Sequence, residues 1–330
     1  MNPTDLNLLQ LLATNTQSVK KEFAWHNISI SRLAAMLYAA EDRTADPSAL
    51  RNIHDMIKEN TGAFSIFRGT LSVAIAAMLS LADDPQHRLD DTLNTYEQMK
   101  AHKFKPSDHL AMAAYEITQH TKPEQREAVI RRTRIFYDGM KENHRFLTSH
   151  DDYVFAAMLG LSNLDPEPAL KHMEQLYAEL KPELRVSNGL QSLTQLLVLG
   201  DADWHATARL HELREAFKQR KIRMDRDFTL PSLGLLALLP IDVRVIADEI
   251  EENIAYIRTQ KGYGAWSVTD RELLLLISSL YISRSVGEAR QGLSTSTAST
   301  ALTNLVIAQQ AATIATVTAI AAANSAASSS

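Results

Sequence analysis

Ser149 to Leu180 reads SHDDYVFAAMLGLSNLDPEPALKHMEQLYAEL, and it decides the fold class. Tyr153, Ala156, Ala157 and Gly160 fall on one helical face, and Leu170, Met173, Tyr177 and Leu180 follow a second helical stripe. Between them, Asp165-Pro166-Glu167-Pro168 stops one helix and starts the next, and Pro182 ends the second. Ser149 with Asp152 three residues later resembles a capping box, with Asp in place of the usual Glu or Gln. The stretch is therefore a front helix, a turn and a back helix.

Two landmarks of this hairpin recur. Ala-Ala-Met-Leu stands at Ala34–Leu37, Ala76–Leu79 and Ala156–Leu159. An apolar residue followed by a base closes successive back helices at Ile57-Lys58, Met99-Lys100, Met140-Lys141, Leu180-Lys181, Phe217-Lys218 and Ile257-Arg258, in steps of 42, 41, 40, 37 and 40 residues. The spacing predicts an all-α chain of tandem helical hairpins of about 40 residues, forming an α-solenoid or a closed α/α superhelix. Small Ala pairs permit close helix approach, and Met fills what they leave. This makes Ala-Ala-Met-Leu core packing and not a ligand box.

Working outward, start signals are read at Ser48, Ser107, Ser187, Ser232 and Thr269, the last with Glu272 as a capping box. Leu6, Leu9, Val19 and Phe23 give a weaker helical pattern ahead of the first hairpin. Residues 1–290 read as one helical-repeat domain of about six and a half hairpins, with Leu273–Ile282 the front helix of an incomplete seventh. Residues 291–330 carry no charge and are rich in Ala, Ser and Thr, so they read as a separate C-terminal helix and tail. Asn304, Gln309 and Gln310 interrupt that tail, and no membrane span is expected there.

Composition narrows the function classes. Among 330 residues there is no Cys, which excludes disulfides, thiolate metal sites and cysteine nucleophiles. A formal charge of -5, from 34 bases and 39 acids, gives no general attraction to nucleic acid. Lys218–Arg226 is the one dense basic run, read as a solvated helix face. Met1–Leu12 lacks a basic leader, so no export signal is expected.

Two groups of residues are candidate sites. Lys261, Tyr263 and Trp266 lie on the most glycine-rich joint, where aromatics beside a base suit a peptide or an anion. His144, His150, Asp151 and Asp152 cluster across another joint as candidate metal ligands, although such residues also serve helix capping. Paired acids near several turns raise a second reading, in which a ring of hairpins gathers them around a central cavity for glycoside or isoprenoid chemistry. No Asp-Asp-x-x-Asp motif accompanies them.

The Ala-Ala-Met-Leu runs, the Met140-Lys141-Glu142-Asn143 segment, the Asp151–Leu159 helix and the Ala/Ser/Thr-rich tail together resemble a bacterial (Firmicute) family, the domain of unknown function 4003, across residues 5–325. The resemblance implies a bacterial, cytoplasmic protein and carries over no catalytic residue. The reading the sequence favours is a scaffold that binds a protein or peptide on its concave face, with a homodimer as a further expectation and no cofactor. The alternative is an α/α-toroid enzyme with a central acidic and histidine-lined pocket. Ring closure would separate them by bringing Leu33–Ala40 beside Leu273–Ile282.

Overall fold

The computed structural model describes residues 2–200 and 204–292, together with Thr316 and Ile320. The described residues form fourteen α-helices: α1 Pro3–Glu22, α2 Ile28–Ala40, α3 Pro47–Glu59, α4 Ser72–Ser80, α5 Pro85–Ala101, α6 Asp108–His120, α7 Pro123–Asn143, α8 Tyr153–Leu161, α9 Pro166–Leu180, α10 Asn188–Leu199, α11 Trp204–Gln219, α12 Leu230–Leu238, α13 Val243–Arg258 and α14 Asp270–Gly292. The chain is all-α, and helices far apart in sequence pack together.

Two kinds of helix alternate. Odd-numbered helices are amphipathic: α13 buries Val243, Ile246, Ala247, Ile250, Asn253 and Ile257 and leaves its other faces to solvent. Even-numbered helices are buried all round. Every residue from Ser29 to Ala39 in α2 and from Tyr153 to Gly160 in α8 is buried. An apolar helix with no polar face is stable in water only when neighbours cover every side of it. These helices are the inner layer, and the odd-numbered ones clothe them.

The inner helices pack in sequence, α2 on α4, α6 on α8, α8 on α10, α10 on α12 and α12 on α14. The last of them, α14, also packs on α2, and α1 packs on α2, α3, α13 and α14. Polar bonds reinforce this long-range contact. Arg32 of α2 is 1% exposed and lies 2.9 Å from Glu272 of α14, with its other amine donating to the carbonyls of Gly262 and Ser267 at 2.7 and 2.6 Å. Arg284 of α14 meets Asp5 of α1 at 2.9 Å. Glu272 thus pairs with Arg32 while its backbone N–H donates to the Thr269 hydroxyl, so only half of the expected capping box forms.

Inner helices lead to the next outer one through turns of two to six residues, and outer helices lead back inward through joints of five to twelve. At the turns, Asp46, Asp84 and Asp242 accept hydrogen bonds from the first-turn N–H groups of α3, α5 and α13. Asp46, and not Ser48, is the cap of α3. Likewise α12 begins at Leu230, two residues ahead of Ser232. Arg132 donates to the carbonyls of Gly160, Ser162 and Leu164, and Arg209 to those of Ala237, Leu239 and Ile241. The two clamps have the same sequence offsets, and each collects the open carbonyls at an inner helix's end.

The expectation of a separate uncharged tail falls almost wholly outside the described residues. Within them, α14 continues to Gly292, Ile320 is buried, and the Thr316 hydroxyl lies 3.2 Å from that of Ser279.

Candidate functional site

A cavity of about 650 Å³ opens where the joints meet the N-termini of the inner helices. Its polar lining includes Asp108 and His109 from α6, His150 and Asp151 from the 3-10 turn before α8, Asp227 before α12, and Arg271 in the first turn of α14. Ile66, Phe155, Phe228 and Pro231 supply apolar wall, and Ser107, Ser149, Asn188, Ser192 and Ser232 add groups that both donate and accept.

The walls are built from helix caps. Ser107 caps α6 by accepting the Leu110 N–H, and Ser187 does the same for α10 through Leu190. At Ser149 the full box forms: the Asp152 carboxylate accepts the Ser149 N–H at 2.9 Å. Capping turns each helix start toward the cavity and sets the next two residues in its wall, Asp108 and His109 or His150 and Asp151. Asp151 is fixed from both sides, by the Ser149 hydroxyl at 2.5 Å and the Asn188 amide at 3.1 Å. Asp227 accepts the Gly189 N–H at 2.6 Å, and a Cβ on Gly189 would collide with the Asp227 backbone, so this seam requires glycine. The Arg271 guanidinium lies over the Phe228 ring at 3.0 Å from its centroid.

Burial sets the charge states. Desolvation raises the pKa of Asp108, whose carboxyl has no hydrogen-bonded partner among the described residues. It lowers that of His109, against a partly opposing pull from Asp151, so His109 is neutral near pH 7 with an unpaired Nδ1. Arg271 is pulled down by burial too, with Asp227 opposing. Asp152, directly behind the wall, is pushed up to about 7, chiefly by desolvation and then by the charge of Asp151.

The four residues read as a metal cluster do not converge. His144 turns away to Glu174 at 2.9 Å and packs against Tyr177. Asp152 is buried and accepts from Gln195. Only His150 and Asp151 face the cavity. Among the described residues no group of three or more His, Cys, Asp or Glu is placed to hold a metal ion.

The three residues of the glycine-rich joint also part company. Tyr263 is fully buried, its hydroxyl 2.7 Å from that of Thr16, so its side chain belongs to the core and presents no recognition surface. The Lys261 carbonyl accepts from Gln17, and its side chain is exposed. Trp266 stands wholly in solvent, as does Phe146, while Phe104 plugs the core.

Asp108, His109, Asp227 and Arg271 escape a motif search because no two of them share one helix face or one loop beyond the Asp108-His109 pair. One signal was present: Ser107, Ser149 and Ser187 precede helices at steps of 42 and 38 residues, and the pairs that follow them all reach the cavity.

An all-α protein with a buried inner layer and a polar cavity at the inner helix starts is the class that these features define. The chain belongs to the family described as protein of unknown function (DUF4003), which matches residues 15–311. No curated protein and no solved structure matches it. No described helix is long and apolar enough to cross a membrane.

Proposed function

We propose that the chain is a closed ring of seven helical hairpins, with α1 serving as the outer partner of α14, and that the cavity binds a neutral or cationic, hydroxyl-rich small molecule of the carbohydrate type. The observation that carries this reading is the cavity lining: three carboxyl groups, two histidines and one arginine, drawn from successive joints into one space. Three acids against one base disfavour phosphates and nucleotides. Serine, asparagine and carboxylate side chains, which pair with hydroxyls in either sense, favour a polyol, and Phe155 and Phe228 supply surface for its apolar faces.

On such a ligand Asp108, with its pKa raised, is suited to donate a proton, and Asp151, held by Ser149 and Asn188, is suited to orient the ligand or accept one. Against a peptide on a concave face stands the inner layer itself, since α2 and α8 are buried along their lengths and offer no open groove.

The test is thermal unfolding in the presence of neutral oligosaccharides, amino sugars and phosphorylated sugars. A neutral or amino sugar at about 100 times its dissociation constant should stabilise the protein by about 2.7 kcal/mol, and Asp151→Asn should abolish the gain. Preference for the phosphorylated sugars, or an equal gain in Asp151→Asn, would sink the reading.

A further inference from the structure

The joints share a second property that the cavity does not use. Trp25, Phe64, Phe146 and Trp266 are each essentially fully exposed, at 97 to 104%, and Val186 is 56% exposed. All five lie on joints, between α1 and α2, α3 and α4, α7 and α8, α13 and α14, and α9 and α10. A single exposed apolar residue is ordinary, but four wholly exposed aromatics and a valine on the same kind of loop are a recurring feature of that end.

These joints occupy one end of the molecule. Residues of the second through the seventh joint, or of the helix starts directly after them, line the one cavity. Arg32, at the start of α2 after the first joint, binds the carbonyls of Gly262 and Ser267 in the seventh.

Charge divides the same way. The seven joints (23–27, 60–71, 102–107, 144–152, 181–187, 220–229 and 259–269) contain eleven Lys and Arg and five Asp and Glu, a balance of +6 in a chain of net -5. The five described turns at the other end (41–46, 81–84, 121–122, 162–165 and 239–242) contain two bases and seven acids. Two of the acids at the joint end, Asp151 and Asp227, line the cavity, and a third, Asp152, is buried behind it. The bases stand outside it. Lys103, Lys105, Arg145, Lys181, Arg185 and Lys261 are all exposed, and none is in an ion pair among the described residues. The basic run Lys218–Arg226 belongs here also: α11 ends at Gln219, so most of it forms a joint and not a helix face.

We infer that the joint end is a peripheral membrane-docking face that sits on an anionic lipid surface, with Trp25, Phe64, Phe146 and Trp266 entering the interface and the joint bases contacting lipid headgroups. Trp at the water–lipid boundary and Lys or Arg beside it are the pairing such surfaces select. Isolated tips around one end, including a valine that cannot stack on a base, do not form the continuous basic groove that single-stranded nucleic acid requires. This inference does not depend on the ligand of the cavity. If both hold, the cavity opens toward the membrane.

The experiment is cosedimentation of the full chain with vesicles of phosphatidylcholine alone and of phosphatidylcholine mixed with phosphatidylglycerol, with tryptophan emission recorded in parallel. Binding is expected only to the anionic vesicles, weakened by salt, with a blue shift that is lost in Trp25→Ala/Trp266→Ala. That double variant, and separately Lys103→Gln/Lys105→Gln, should each lower partitioning by about tenfold or more. Because all four side chains are exposed or mostly so, the variants should unfold at the wild-type temperature, which separates lost docking from lost folding. Four results would overturn the proposal: no binding to anionic vesicles, equal binding to neutral ones, displacement from vesicles by a single-stranded oligonucleotide, or self-association without vesicle binding. None of them touches the sugar-binding reading, which is scored by thermal shift.

Discussion

The two ends of the helices are built by different chemistry. At the turn end most contacts stay within a hairpin or pass to its immediate neighbour: Asp46 and Asp84 cap the helix that follows them directly, and Arg132 and Arg209 reach carbonyls 28 to 32 residues away. The pair of Arg284 with Asp5 is the exception that joins α14 to α1. At the joint end, contacts span the chain. Tyr263 meets Thr16 across 247 residues, and Arg32 meets Glu272 across 240. The turn end therefore mainly shapes individual hairpins, whereas the joint end carries more of the bonds that set distant hairpins against one another. It is also the end that carries the cavity, the exposed aromatics and the excess of bases.

The sharpest way to break this contrast is Arg32→Met. The change leaves Glu272 and two carbonyls without their buried donor, and removal of one partner of a buried pair costs about 3–5 kcal/mol. Urea denaturation should show that loss. An unchanged midpoint would mean that the contact between α2 and α14 is held by packing alone.

A second test sharpens the contrast through pH. Asp152 has a folded-state pKa of about 7 against an ordinary 3.8, so its ionisation favours the unfolded chain. The Asp152 contribution to stability should be most favourable below about pH 4 and decline as pH rises to about 7, by a few kcal/mol in all. Asp152→Asn removes this dependence and keeps a partner if the Gln195 amide, whose Oε1 is unpaired, reverses. Denaturation midpoints of the two proteins should then differ at pH 8 far more than they differ at pH 4. Parallel curves would show that Asp152 is better solvated than its burial implies.

The smallest effect belongs to the turn end. Asp84→Ala removes one cap, the bond to the His87 N–H, and should cost about 1 kcal/mol. Amide exchange should rise only in the first turn of α5. Exchange that spreads to α6 or α8 would show that the turns, too, set the arrangement of hairpins.

The same division explains what could be read in advance. Helix class, the outer stripes, Pro166 as a helix start, Pro182 just past a helix end, and the Ser149–Asp152 box follow from neighbours within four residues, and each is present. However, α8 ends at Leu161, ahead of the prolines expected to stop it. His150 and Asp151 were placed correctly at a helix start, but their expected companions were not. His144 belongs to a different helix end and prefers Glu174, and Asp152 points from the next position into the core. Tyr263 and Trp266 show the limit at its plainest. Three residues apart in one joint, one is sealed against α1 and the other is bathed in water. No local pattern distinguishes them, because the surface that buries Tyr263 comes from the opposite end of the chain.

By itself the sequence determined the helices, their order and the apolar stripes of the outer ones, since 3.6-residue periodicity, proline and capping side chains act over one or two turns. It placed α14 only at Leu273–Ile282, less than half of the observed Asp270–Gly292. It also fixed the charges of the joints. Tertiary structure alone decided that α1 and α14 would meet the same neighbours, that Asp108, His109, Asp151, Asp227 and Arg271 would share one cavity, and that the basic, aromatic joints would gather at one end. Those outcomes depend on how buried helices stack over hundreds of residues. Stacking of that kind is the sum of many weak apolar contacts, and no short stretch of sequence records it.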